Sequence, residues 1–197
     1  MMHYYTNNID AQSNEKTIEY TLKGHKIKFI TDIGVFSKTG VDFGSQLLIE
    51  TFNTAIPGKI LDVGCGYGPI GLSLAKSSPE RQIHMVDVNE RALALSTKNA
   101  RLNQIQNVTI YESSCYENVK ETFAFILSNP PIRAGKQVVH TIIEEAKNYL
   151  EDDGQLWIVI QKKQGAPSAK KKMLEVYGNC EEVGKKKGYF VLMSKNH

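Results

Sequence analysis

The sequence predicts an α/β fold: a doubly wound, mostly parallel seven-stranded sheet with helices on both faces, a C-terminal antiparallel strand pair and an N-terminal β-hairpin. Three observations carry this expectation. Short apolar runs alternate with amphipathic stretches from residue 59 to residue 177. One such run passes directly into the glycine-rich turn Gly64-Cys65-Gly66-Tyr67-Gly68 and then into a helical pattern. The chain closes on two strand-like stretches joined too tightly for a helical crossover, so they must run antiparallel.

The elements follow in order. Residues 17–22 alternate polar and apolar, Lys23-Gly24 offers a turn, and Ile27, Phe29 and Thr31 resume the alternation, so a hairpin is expected as an appendage to the core. Phe43, Leu47, Leu48, Thr51 and Phe52 recur at helical spacing over 42–55, and Pro57-Gly58 stops that helix. Strand 59–63, helix 69–76, strand 83–87, helix 90–103 and strands 108–112 and 123–128 come next. A helix over 137–150 turns Val138, Ile142, Ile143 and Ala146 inward and is closed by Asp153-Gly154. Strand 155–161, a basic helix 166–177 and a strand pair 178–183 and 189–194, joined through lysines, complete the pattern.

A chain of 197 residues with 41% hydrophobic and 23% charged residues can bury one core, expected here as a single domain with a hairpin extension (1–40) and a core (41–197). Cys65, Cys115 and Cys180 are odd in number and widely spaced, which suits reduced thiols and argues against a disulfide framework or a metal site. No apolar run reaches membrane-spanning length and the first residues lack signal-peptide character, so the expected location is the cytoplasm. The formal charge of +3 is small, but Lys162-Lys163, Lys170 to Lys172 and Lys185 to Lys187 concentrate it late in the chain, as a solvated face or a phosphate-binding one.

The glycine turn lies where doubly wound sheets bind ligands, and side chains at Gly64 or Gly66 would take the space a ligand needs. The spacing of Asp62, Gly64, Gly66 and Gly68 differs from the Gly-x-Gly-x-x-Gly of dinucleotide sites. Asp87 ends the second core strand, where a carboxylate can take both ribose hydroxyls or cap the next helix. Ser114 stands at the third strand end. The segment Ser128-Asn129-Pro130-Pro131-Ile132 follows the fourth core strand at the same edge. A delocalised amino nitrogen is a poor nucleophile; two fixed acceptors, the Asn129 side-chain oxygen and the Pro130 carbonyl, can hold its hydrogens and aim its lone pair, with consecutive prolines stiffening the segment.

Asp62 to Gly68, Asp87 and Ser128 to Pro131 together resemble class I S-adenosyl-L-methionine-dependent methyltransferases that act on amino nitrogens. With Phe29 to Ser37, Asp42-Phe43-Gly44 and Ile132 to Lys136, the chain resembles the small-domain branch of the 16S ribosomal RNA guanine-N2 methyltransferases over nearly its whole length. The resemblance implies a Rossmann-like fold, with the cofactor held by Asp62, Gly64, Cys65, Gly66, Gly68, Asp87, Val88, Ser114 and Asn129. It implies catalysis at Asn129, Pro130 and Pro131, and substrate contacts from Phe36, Ile132, Arg133 and Lys136. Ribosomal RNA or a ribosomal subunit is the implied partner, with no metal. Relatives often carry an aromatic residue after Asn-Pro-Pro to stack on the base; here it is Ile132, and Phe36 is the candidate stacking ring. Protein-glutamine methylation uses the same device and stays open beside it, as do a small-molecule methyltransferase and a cofactor-binding assembly factor without catalysis.

Overall fold

A computed structural model describes residues 12–35, 37, 40–53 and 56–197. The elements are β1 (Lys16–Leu22), β2 (His25–Thr31), α1 (Phe43–Thr51), β3 (Ile60–Val63), α2 (Pro69–Ser77), β4 (Ile83–Asp87), α3 (Glu90–Leu102), β5 (Val108–Glu112), β6 (Phe123–Ser128), α4 (Lys136–Ala146), β7 (Leu150–Gln161), α5 (Ala166–Tyr177), β8 (Glu181–Lys186) and β9 (Tyr189–Lys195). Strands β3 to β9 form one sheet in the order β5-β4-β3-β6-β7-β9-β8. All neighbours are parallel until β9, which runs antiparallel to both β7 and β8. This is the predicted doubly wound sheet with its antiparallel end.

Alternation along each strand divides the core in two. Ile60, Phe125 and Leu127 pack with Leu48, Leu72 and Leu95 of α1, α2 and α3 on one face. Leu61, Ile126 and Ile158 pack with Val139, Ile142 and Met173 of α4 and α5 on the other. The strand order reverses at β3, with β4 on one side and β6 on the other, so a crevice opens at their carboxyl ends.

The hairpin is bound into the domain more firmly than an appendage. Phe29 and Ile27 are fully buried in the same core as α2 and α3. Asn99 on α3 and Asn103 at its C-cap satisfy the free edge of β2 as a neighbouring strand would. Asn99 accepts from Ile30 N (2.6 Å) and donates to Ile30 O (3.0 Å), and Asn103 accepts from Lys28 N (2.9 Å) and donates to Lys28 O (2.7 Å).

Some boundaries move from their expected places. Helix α1 ends at Thr51 and buries Ile49 and Leu48, while Phe43 and Leu47 are only half-buried. Helix α4 stops at Ala146 rather than 150, and β7 begins at Leu150 rather than 155. Asp153-Gly154 does not separate helix from strand; it makes a bulge within β7. The β6 register shifts from Phe123↔Leu150 to Phe125↔Gln155, Asp153 takes φ +62°, and residues 153 and 154 bond to the backbone of Asn196. In α4 the buried residue is Val139, with Val138 turned toward the cavity described below. Strand β8 runs over 181–186 instead of 178–183, so Lys185 and Lys186 belong to the strand and Lys187-Gly188 alone make the turn.

Candidate active site

A cavity of about 330 Å³ opens at the carboxyl ends of β3, β4, β5 and β6. Its floor is the glycine turn, where Gly64, Gly66 and Gly68 take φ of +76°, +57° and +105°, values that side-chain-bearing residues adopt at a cost. The glycines have different jobs. A Cβ on Gly64 would find only Pro131 Cδ, at 4.0 Å, and would intrude on the cavity that Gly64 lines. A Cβ on Gly68 would lie 2.6 Å from Leu72, so this glycine permits helix packing at the start of α2 and does not line the cavity.

Asp62 lies beneath the turn, fully buried and outside the cavity wall. One carboxylate oxygen accepts from Gly71 N at 2.9 Å and the other has no partner. Burial pushes this carboxyl up to about 7, the Gly71 N–H pulls the other way, and the Asp87 carboxylate adds to the rise. The folded state therefore holds this proton more tightly than the unfolded chain does. The stability it contributes is full below about pH 4 and is lost as pH rises through about 7. Asp62→Asn is expected to flatten the dependence of unfolding free energy on pH between about 5 and 8 by about 2–3 kcal/mol, read from urea denaturation. An unchanged profile would refute the assignment.

Asp87 ends β4 and is 3% exposed, yet it reaches the cavity. Its Oδ2 accepts from Gly66 N at 2.8 Å and its Oδ1 from Asn89 N at 2.9 Å. The carboxylate thus ties the glycine turn to the strand end. The cap of α3 is a different residue: Asn89 accepts from Ala92 N at 3.1 Å. Arg91 and Asn89 also donate to the carbonyls of Ile33 and Gly34, and Ser37 lines the cavity.

Beside the turn, the neighbouring strand β6 delivers Asn129, Pro130 and Pro131 to the wall. Ser128 donates to Val63 O at 2.8 Å, locking this strand end to β3. The Asn129 amide nitrogen donates to Asp42 Oδ2 and to Ser45 Oγ, both at 3.0 Å. A carboxylate only accepts, so the amide orientation is fixed by chemistry. The same Asp42 oxygen accepts from Ser45 N at 3.0 Å and caps α1. Both amide hydrogens are thereby occupied, and Asn129 Oδ1 is left as an acceptor at the cavity.

Cys65, Val88, Ser114, Ile132 and Arg133 also line the cavity, as does Asp42. Lys136 is exposed at the start of α4, off the wall. Phe36 lies outside the described residues. Sequence reasoning missed Ser45, Val138, Gln164 and Tyr189. Tyr189 is half-buried, its ring centroid 5.6 Å from that of Phe43. No local signal marks it, because it reaches the site only through β9 pairing beside β7. Burial raises the Cys65 and Cys115 thiols, the latter to about 11, so neither is a ready nucleophile. Among the described residues there is no cluster of three metal-ligating side chains and no helix long and apolar enough to cross a membrane.

Comparison with known proteins bears on this geometry. The Bacillus subtilis "Uncharacterized protein YbxB" is 54% identical over 98% of each chain. The ribosomal RNA small subunit methyltransferase C of Erwinia tasmaniensis is 38% identical over 72% of this chain and 42% of its own. The T. thermophilus 16S rRNA N2 G1207 methyltransferase, solved in complex with AdoMet and guanosine, superimposes with a TM-score of 0.84 at 22% identity, covering 94% of this chain and 52% of that one. The chain thus spans about half the length of the ribosomal RNA methyltransferases it matches. The family model described as "Methyltransferase small domain" matches residues 26–193, and with that span and this site the chain belongs to the methyltransferase small-domain family.

Proposed function

We propose that this chain is an S-adenosylmethionine-dependent N-methyltransferase acting on the exocyclic N2 amino group of a guanine in ribosomal RNA. One observation carries the reading: Asn129 is held by Asp42 and Ser45 with its carbonyl oxygen left to accept, in the cavity that the glycine turn also lines. A planar amino group needs such a fixed acceptor to present its lone pair. Asn129 Oδ1 takes one amino hydrogen and the Pro130 carbonyl takes the other, with no strong base required.

The cavity suits the cofactor. The space that a Cβ on Gly64 would fill, and the Asp87 carboxylate at the end of β4, meet the needs of an amino-acid portion and a ribose. Gly64, Cys65, Gly66, Asp87, Val88 and Ser114 hold it, while Asp62 and Gly68 shape the turn from behind. When bound, S-adenosylmethionine supplies an electrophilic methyl group on a sulfonium. Tyr189 supplies a ring on the cavity wall for a base to face, a role that Ile132 fills only as an aliphatic cover. The Erwinia and Thermus relatives, named for ribosomal RNA methylation and for N2 of a guanine, support this substrate. In this reading the chain is a single catalytic domain working in the cytoplasm on RNA.

The test is incubation with labelled cofactor and separate pools of ribosomal RNA, transfer RNA, ribosomal subunits and release factors. N2-methylguanosine in ribosomal RNA is the expected product. Label on protein glutamine would overturn the reading.

A further inference from the structure

The lysine clusters differ in how their charge is met. On α5, Lys170 pairs with Glu182 at 3.1 Å and Lys172 with Glu144 at 2.7 Å, and on β9 Lys195 pairs with Asp153 at 3.3 Å. Lys162, Lys163, Lys185, Lys186 and Lys187 are all exposed, and none forms an ion pair with a described carboxylate. Acidic neighbours neutralise an ordinary solvated face; this group is left positive.

The fold also gathers these residues in one place. Gln161, the last residue of β7, pairs with Tyr189, and Lys162 N donates to Gly188 O at 2.8 Å, so Lys162-Lys163 sits against the β8–β9 turn. That turn lies at the carboxyl edge of the sheet, the edge with the cavity. Gln164, next to Lys163, and Tyr189, two residues after Lys187, line the cavity, as does Arg133. The Lys187 ammonium stands 4.8 Å from the centroid of the Phe43 ring, which itself packs on Tyr189, so one positive charge is pinned at the mouth.

We propose that Lys162 and Lys163, with Lys185 and Lys186 at the end of β8 and Lys187 in the turn that follows, form a clamp on the phosphodiester backbone flanking the nucleotide that enters the cavity. This rests on the RNA reading above. A row of lysines on flexible stems is suited to successive phosphates and carries no base information, so the clamp positions the strand while the cavity selects the base.

The test compares Lys162→Gln/Lys163→Gln/Lys187→Gln in the full chain with Lys26→Gln/Lys76→Gln/Lys120→Gln, whose lysines lie away from the mouth. Binding to a ribosomal RNA fragment is followed by fluorescence anisotropy over a salt series, with S-adenosylmethionine affinity as the check on folding. The mouth variant is expected to bind RNA about tenfold more weakly near 0.1 M salt and to lose about 2–3 from the magnitude of its log–log salt slope, with cofactor affinity retained. The distant variant is expected to match the unmodified protein. Equal RNA affinity and slope in the mouth variant, with RNA bound normally by the unmodified protein, would overturn the clamp and leave the RNA reading standing. No RNA binding or methylation by the unmodified protein would overturn both.

Discussion

Replacing Asn129 with alanine is expected to lower methyl transfer by at least about 10²–10³-fold while changing S-adenosylmethionine affinity by less than about twofold. The loss is expected in turnover because, in the proposed role, the carbonyl acts on the amino group as it becomes nucleophilic. Asn129 sits on a β6 end bonded to β3 through Ser128, followed by two prolines, so the backbone has little freedom to compensate. Ser45→Ala gives a graded companion. It removes one acceptor of the Asn129 amide but leaves Asp42 as the second acceptor and as the α1 cap. Turnover is expected to fall about tenfold with the Michaelis constant for cofactor unchanged, and the effect is expected to vanish in the Asn129→Ala background. Turnover retained by Asn129→Ala would sink the catalytic assignment.

Replacing Asp87 with alanine is expected to weaken S-adenosylmethionine binding by about 100-fold or more, measured by titration calorimetry. Two losses combine. In the proposed site the ribose loses its carboxylate, and the Gly66 and Asn89 N–H groups lose the Asp87 acceptor, so the glycine turn is no longer tied to β4. Asn89→Ala separates the helix-capping role from the binding role. It removes the α3 cap and is expected to cost about 1 kcal/mol of stability with cofactor affinity near that of the unmodified protein. Unchanged affinity in Asp87→Ala would remove the carboxylate from the cofactor site.

The parts of the site that could be read in advance are those written in consecutive residues. Val63 to Gly68 and Ser128 to Pro131 each place their chemistry at a strand end, and a parallel sheet brings all such ends to one edge. The same reading also took in Gly68 and Asp62, which the structure places off the cavity wall, because a motif names a turn without saying which residues face out of it. Their contacts with Leu72 and Gly71 put them on its packed side. The misplaced boundary at Asp153-Gly154 has a similar cause. An Asp-Gly pair signals a turn whether it ends a helix or kinks a strand, and its pairing with Asn196 at the far end of the chain makes the difference.

The sequence by itself determined the sheet, the order of its elements, the glycine turn and the Asn-Pro-Pro corner, since each depends on backbone preferences and apolar periodicity within a few residues. The tertiary structure alone decided how Asn129 is oriented, by Asp42 and Ser45 that stand 87 and 84 residues earlier. It also decided that Tyr189 faces the cavity, that Asn99 and Asn103 seal the hairpin edge, and which lysines keep unpaired charge at the mouth. Hydrogen bonds and ion pairs act over a few ångströms of space, and separation along the chain carries no record of that distance.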